Sequence, residues 1–338
     1  MKKRLLAIAM TMALTAGLAA GCGSSTDSAS TTDAASESTD DSAEAAGEKK
    51  VAYFVCGMNG GSAWGSAQQG FEDACAELGW EGYYVSPATS MNLGEMANLL
   101  ETAITSKADA IIGTLYDQDV FGDAMKRAKE QGIYIATTNC YLTDEYEDFW
   151  VGTDPVGMGT SQGEYFLELM DENTEYTVVY MQTSASQTTQ NQQFDAFCEV
   201  VKDYDNIHIF GQEYCDSNST TASDKMASLV KANPEINAVV CADGYGCIGV
   251  GNFLDEQNLG DTFLAIGIDD EPAILNYITG GALDATVCQN FYDMGYQCIM
   301  KIKAEMDGET VEFNNDSGTR LVTPADVEAY AEEKGIEL

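Results

Sequence analysis

The sequence predicts an α/β fold made of two similar, doubly wound lobes with parallel sheets, and three observations carry this expectation. Residues 51–338 alternate short β-rich runs with longer segments apolar at i, i+3 and i+4, as βαβ units do. The β-rich runs are almost continuously apolar, which marks sheets covered on both faces. The rhythm restarts after Asp154, dividing the body into halves of similar size. One open sheet is the competing arrangement, but ten strands stand near its upper limit.

The first half reads as strands at VAYFVC (51–56), EGYYVS (81–86), ADAIIGT (108–114), IYIATTN (133–139) and FWVGT (149–153). The second reads as YTVVYMQ (176–182), IHIFGQEY (207–214), INAVVCA (236–242), FLAIGI (263–268) and DATVCQ (284–289). Stretches such as AQQGFEDACAELG and SDKMASLVKAN supply the helices between them.

The N-terminus reads as a targeting segment. MKKR precedes an apolar stretch, short for a membrane span, that runs into Gly21-Cys22. Residues 1–21 are thus expected to be a signal peptide, and the junction resembles a bacterial lipobox, with Cys22 lipidated. Ala19 stands where leucine is commonest in that motif, with Leu18 one place early. Residues 22–50, rich in Ser, Thr, Asp and Ala, are expected to form a disordered tether. Such a leash reaches on the order of 30 Å.

The body carries 48 acidic against 11 basic side chains, a formal charge of −37, which disfavours nucleic acid and anionic membrane surfaces as partners. Only Arg127 and Arg320 offer a guanidinium fork, so phosphate or carboxylate ligands are disfavoured too. The glycines of YFVCGMNGGSAWGSAQQGF fit neither a dinucleotide loop nor a P-loop, and the segment has no lysine. No metal is expected, because the nine cysteines after Cys22 include no C-x-x-C and His208 is the one histidine. Most of these cysteines lie in apolar runs and read as small buried hydrophobes. The run from Asp216 lacks the glycine and glutamate of a calcium loop. A Cys/His catalytic pair would have to recruit His208 from a strand expected at a sheet edge.

Ligands of open parallel sheets bind beyond the carboxyl ends of the strands. Asn59, Asn139, Asp243, Asp269 and Gln289 follow five of those ends. Each alone suits a turn or helix cap. Together they form a set of amides and carboxylates able to pair with hydroxyl groups.

These motifs in order, with WVGTDPVGMG, NPEINAVVCADGYGCIG, AIGIDDEPA and GGALDATVCQN, resemble bacterial solute-binding proteins of the type I periplasmic fold, ribose/galactose branch, over about 51–323. The resemblance implies two lobes joined by a three-strand hinge. One lobe would be 51–153 plus 290–318, the other 154–289 plus 319–338. It places Asn59, Asn139, Asp243, Asp269 and Gln289 on positions that bind sugar hydroxyls, and Trp64 on that of an aromatic covering a sugar ring. Gln193 stands where the family commonly has an arginine, and Asn139 where a carboxylate often partners it. The implied function is capture of a small neutral polyol, a monosaccharide, for the membrane permease of an ABC importer. The protein would be a monomer without cofactor, held by Cys22 at the outer face of the cell membrane or in a periplasm. The alternatives are an amino sugar or other small amine, a signalling ligand serving chemotaxis or a sensor, and, further off, a glycoside-acting enzyme using Asp243 and Asp269.

Overall fold

The computed structural model describes residues 49–58 and 60–338. The expectations on the signal peptide, the tether, Cys22 and Asn59 lie outside the described residues. In chain order the first half gives β1 (Val51–Val55), α1 (Ser62–Leu78), β2 (Glu81–Val85), α2 (Leu93–Thr105), β3 (Ala110–Gly113), α3 (Gln118–Glu130), β4 (Tyr134–Thr138) and β5 (Phe149–Gly152). Next come α4 (Pro155–Leu169), β6 (Tyr176–Gln182), α5 (Thr188–Val201), β7 (Ile207–Tyr214), α6 (Ser219–Ala232), β8 (Ala238–Cys241) and α7 (Gly244–Glu256). The chain closes with β9 (Leu264–Ile268), α8 (Pro272–Thr279), β10 (Ala285–Gln289), α9 (Phe291–Met306), β11 (Asn314–Asp316), β12 (Thr319–Val322) and α10 (Val327–Lys334).

All ten expected strands form, and they fall into two sheets, which rules out the single open sheet. The first has the order β2-β1-β3-β4-β5-β11 and is parallel throughout. The second has the order β7-β6-β8-β9-β10-β12, with β12 antiparallel to β10 at one edge. Strands β11 and β12, absent from the sequence reading, complete one edge of each sheet. The chain passes between the sheets after β5, after β10 and between β11 and β12. Those passages are tied side by side: Thr153 Oγ1 lies 3.2 Å from Ser317 Oγ, and the Asp154 amide donates to Asp316 Oδ1 at 3.0 Å.

The unbroken apolar strands do what their pattern requires. In the first sheet Phe54, Ile112 and Ala136 pack with Phe71, Met294 and Ile299 on one face. On the other, Val55, Ile111 and Ile135 pack with Leu100, Phe121 and Met125. Both faces are therefore core, as parallel sheets demand. The second sheet repeats this, with Val179 and Val239 against Val250 and Leu254, and Val178 and Val240 against Phe166 and Phe197.

Helices α1 and α9 approach so closely that only glycine fits at their crossing. A Cβ on Gly70 would meet the Tyr292 carbonyl oxygen at 2.1 Å, and one on Gly295 the Ala67 oxygen at 2.0 Å. This crossing fixes where Trp64 and Phe291 stand, near the first turns of the two helices.

Candidate functional site

The carboxyl ends of the two sheets face a common cleft of about 790 Å³, counting the open solvent at its mouth. Trp64, Asn139, Gln193, Asp243, Asp269 and Gln289 all line it. Six of the seven residues singled out in the sequence thus meet in one place, and the seventh, Asn59, is the one outside the described residues.

Asn139 follows β4 and Asp269 follows β9, the fourth strand of each half. Both adopt left-handed backbone, with φ of 64° and 69°. Asn and Asp tolerate this conformation better than other non-glycine residues, and here it turns the chain at the strand end. Gln289 joins them. Asn139 Nδ2 donates to Gln289 Oε1 at 3.2 Å, and Gln289 Nε2 donates to Asp269 Oδ1 at 2.7 Å. Burial pushes the Asp269 carboxyl up to about 8, and the nearby Asp270, Asp243 and Glu271 add to the rise while the Gln289 hydrogen bond opposes it. Gly244 leaves room for this carboxyl, because a Cβ there would stand 2.5 Å from Asp269 Oδ2.

Asp243 is engaged differently. It caps α7, accepting from the Gly246 amide at 2.6 Å, and its other oxygen accepts from Thr183 Oγ1 at 2.7 Å and Ser217 Oγ at 2.6 Å. The Cys215 thiol adds a weaker contact at 3.4 Å. Its carboxylate lines the cleft but is already well supplied with donors, so its first task is to build the wall. Gln193 likewise turns part of its amide inward, donating to Gln162 Oε1 at 2.9 Å, where the Tyr180 hydroxyl also donates.

Side chains the sequence reading passed over complete the lining. Gln187, 6% exposed, and Thr189, 8% exposed, open α5, and their side-chain polar atoms have no hydrogen-bond partner among the described residues. Gln187 sits at the helix N-cap yet makes no side-chain cap. Its amide, one acceptor and two donors, suits a hydroxyl-rich ligand. The rule that found the other residues extends to these two, since they follow the end of β6. Glu271, at the start of α8, is a third carboxylate in the cleft.

The apolar wall consists of Trp64, Phe291, Met58, Met91 and Tyr245. Trp64 is half-buried, with its ring edge-to-face on Phe291 at a centroid distance of 5.1 Å. It belongs to the core margin and to the cleft at once. Among the described lining residues there is no Lys, Arg or His. Arg127 pairs with Glu101 on the surface, and Arg320 with Glu333 at 2.8 Å. His208 lies exposed on edge strand β7 against Glu175 at 2.8 Å. The nine described cysteines are free and all but Cys198 are buried, as the apolar runs led one to expect. No group of three or more His, Cys, Asp or Glu suited to a metal ion occurs among the described residues.

Residues 51–310 match the model of the periplasmic binding protein domain. The chain belongs to that family. Among curated relatives, a xylose/arabinose-binding protein of Sulfolobus acidocaldarius is 24% identical over 78% of this chain and 68% of its own length. A D-apiose import binding protein of Actinobacillus succinogenes is 25% identical over 69% of this chain and 74% of its own length. Among solved structures, the glucose-galactose binding protein of Geobacillus stearothermophilus superposes with a TM-score of 0.78 at 23% identity, covering 82% of this chain and 99% of that one. A carbohydrate transporter solute-binding protein of Agrobacterium radiobacter, in complex with D-arabinose, also gives 0.78 at 24% identity, covering 86% and 99%. At such identities the structures establish the two-lobed fold. No helix among the described residues is long and apolar enough to cross a membrane.

Proposed function

We propose that this periplasmic binding protein captures a neutral monosaccharide between its lobes and delivers it to the permease of an ABC importer. One observation carries the reading: among the described residues, the cleft combines an aromatic wall with amide and hydroxyl groups without a partner, Gln187 and Thr189, and no cation lines it. A sugar has an apolar face and a ring of hydroxyls that both donate and accept, and this lining matches both. The relatives above, named for xylose, arabinose, apiose, glucose and galactose, support it.

In this reading Trp64 covers the ring face, while Asn59, Asn139, Gln187, Gln193, Asp269 and Gln289 pair with hydroxyls. Asp243 holds the wall and reaches the ligand second. The lobes pivot at the boundaries 153/154, 289/290 and 318/319, and ligand shifts the population toward the closed form that a permease reads. Residues 1–21 direct export, Cys22 carries the lipid, and 22–50 tether the body at the membrane. In this reading the protein does no chemistry on its ligand: His208 pairs with Glu175 on an exposed edge strand, and Asp243 is held by its own donors.

An amine-bearing ligand is the second reading, because no cation among the described residues lines the cleft beside Asp243, Asp269 and Glu271. It is weaker, since Asp243 and Glu271 are already engaged within the protein. Calorimetry with a neutral sugar, its uronate and its amino counterpart separates the readings. The neutral sugar is expected to bind and the uronate to be repelled by carboxylates in a poorly hydrated site. Tight uronate binding would overturn the reading, and binding of the amino sugar alone would replace it with the second.

A further inference from the structure

Helix α1 begins without a cap of its own. Its N-cap residue is Gly61, at φ 83°, which has no side chain to accept from the helix's first amides, and no other side chain of the first lobe does so among the described residues. The acceptor comes from the other lobe. Glu271 Oε2 accepts from the Ser62 amide at 3.2 Å and Oε1 from the Ala63 amide at 3.3 Å, between residues 209 and 208 positions apart. Glu271 stands at the N-cap of α8 but does not cap α8 with its side chain. Its carboxylate instead crosses the cleft. Gly61 makes this approach feasible, because a Cβ there would stand 2.7 Å from Glu271 Oε1. Further contacts also cross between the lobes: Gln192 of α5 donates to the Tyr141 hydroxyl at 2.8 Å, Asn139 donates to Gln289 at 3.2 Å, and Tyr245 packs against the core of the first lobe.

We propose that Glu271 is a latch that holds the two lobes together in the absence of ligand and so sets the fraction of molecules open to receive one. An anionic side chain at a helix N-terminus gains from the helix dipole and from charge-assisted bonds to orphan amides. Both gains are lost on opening, because carboxylate and amides belong to different lobes. The latch therefore biases the equilibrium toward closure by its own free energy, whatever sugar the cleft takes. A ligand that binds the closed form then needs less of its own binding energy to close the lobes. Loss of the latch is expected to lower the closed-to-open ratio of the ligand-free protein on the order of tenfold.

The test uses the ligand-free full chain, needs no sugar, and so stands apart from the sugar reading. Amide exchange is followed at Ser62 and Ala63, with the radius of gyration from X-ray scattering as a second readout. Glu271→Ala is expected to speed exchange at those two amides about tenfold and to enlarge the radius of gyration. Glu271→Gln, which keeps the length and one acceptor oxygen, is expected to fall between Ala and wild type. Exchange in β9 should be unchanged in both variants, showing that the second lobe is intact. Unchanged exchange at Ser62 and Ala63 in Glu271→Ala would overturn the proposal. So would faster exchange with an unaltered radius of gyration, which would reduce Glu271 to a local cap.

Discussion

Asp269 offers the sharpest perturbation, because its carboxyl is pushed up to about 8 by burial and by Asp270, Asp243 and Glu271. A sugar hydroxyl donates more strongly to a carboxylate than to a neutral acid, so the ligand selects the ionised form. With a carboxyl near 8, only about one molecule in ten is ionised at pH 7, and the apparent affinity is reduced in proportion. Between pH 6 and pH 8 the ionised fraction rises from about one in a hundred to one half, so affinity should strengthen about fifty-fold. Asp269→Asn removes the titration while leaving an oxygen to accept from Gln289 Nε2. The variant should bind with nearly constant affinity across the range, close to wild type at pH 6 and about fifty-fold weaker at pH 8. Titration calorimetry with the best-bound neutral sugar at pH 6, 7, 8 and 9 gives the profile. A flat wild-type profile, or the same slope in Asp269→Asn, would refute the reasoning.

Trp64→Ala should leave a folded protein, since the ring is half-buried at the core margin, but weaken sugar binding by roughly tenfold to a hundredfold through lost ring-face contact. Unchanged affinity in calorimetry would return Trp64 to the core alone. Glu147 is buried, with Oε1 accepting from the Leu142 amide at 2.9 Å and Oε2 unpartnered, and burial pushes its carboxyl up to about 8. The folded form thus keeps a proton the unfolded chain has released, so this group's contribution to stability is full in acid and is lost as pH rises toward 8. Glu147→Gln should melt higher than wild type at pH 8, by roughly 1 kcal/mol or more, with the gap shrinking toward pH 5; parallel melting curves at both pH values would contradict this. Cys22→Ala should move the protein from the membrane to the soluble exported fraction, and a variant still in the membrane fraction would exclude the lipid anchor.

The inner strands were legible because each is a nearly unbroken apolar run buried on both faces, so pattern and packing state the same thing, while the edge strands β2 and β7 are partly exposed. Strands β11 and β12 were not, because Asn-Asn-Asp and Thr-Arg-Leu-Val carry little apolar signal and are strands only through their neighbours β5 and β10. The site was legible for a topological reason: strand ends converge, so polar residues that follow strands meet. Asn139 and Asp269 also shared a left-handed backbone that their residue types permit. What the sequence concealed is which polar groups are already taken. That Asp243 is held by Thr183 and Ser217, 60 and 26 positions away, is a property of the packed lobe. The same holds for Glu271, whose partners lie 209 and 208 positions away in the other lobe.

The central claim is that the cleft takes a neutral monosaccharide, and a thermal-shift screen of pentoses, hexoses, uronates, amino sugars and amino acids tests it most directly. Ligand that binds only the folded form at a hundred times its dissociation constant stabilises by about 2.7 kcal/mol, which is several degrees in a domain of this size. The account predicts that at least one neutral pentose or hexose raises the melting temperature by that amount while its uronate does not. A shift produced only by anionic ligands or amino acids, with every neutral sugar silent, would contradict it.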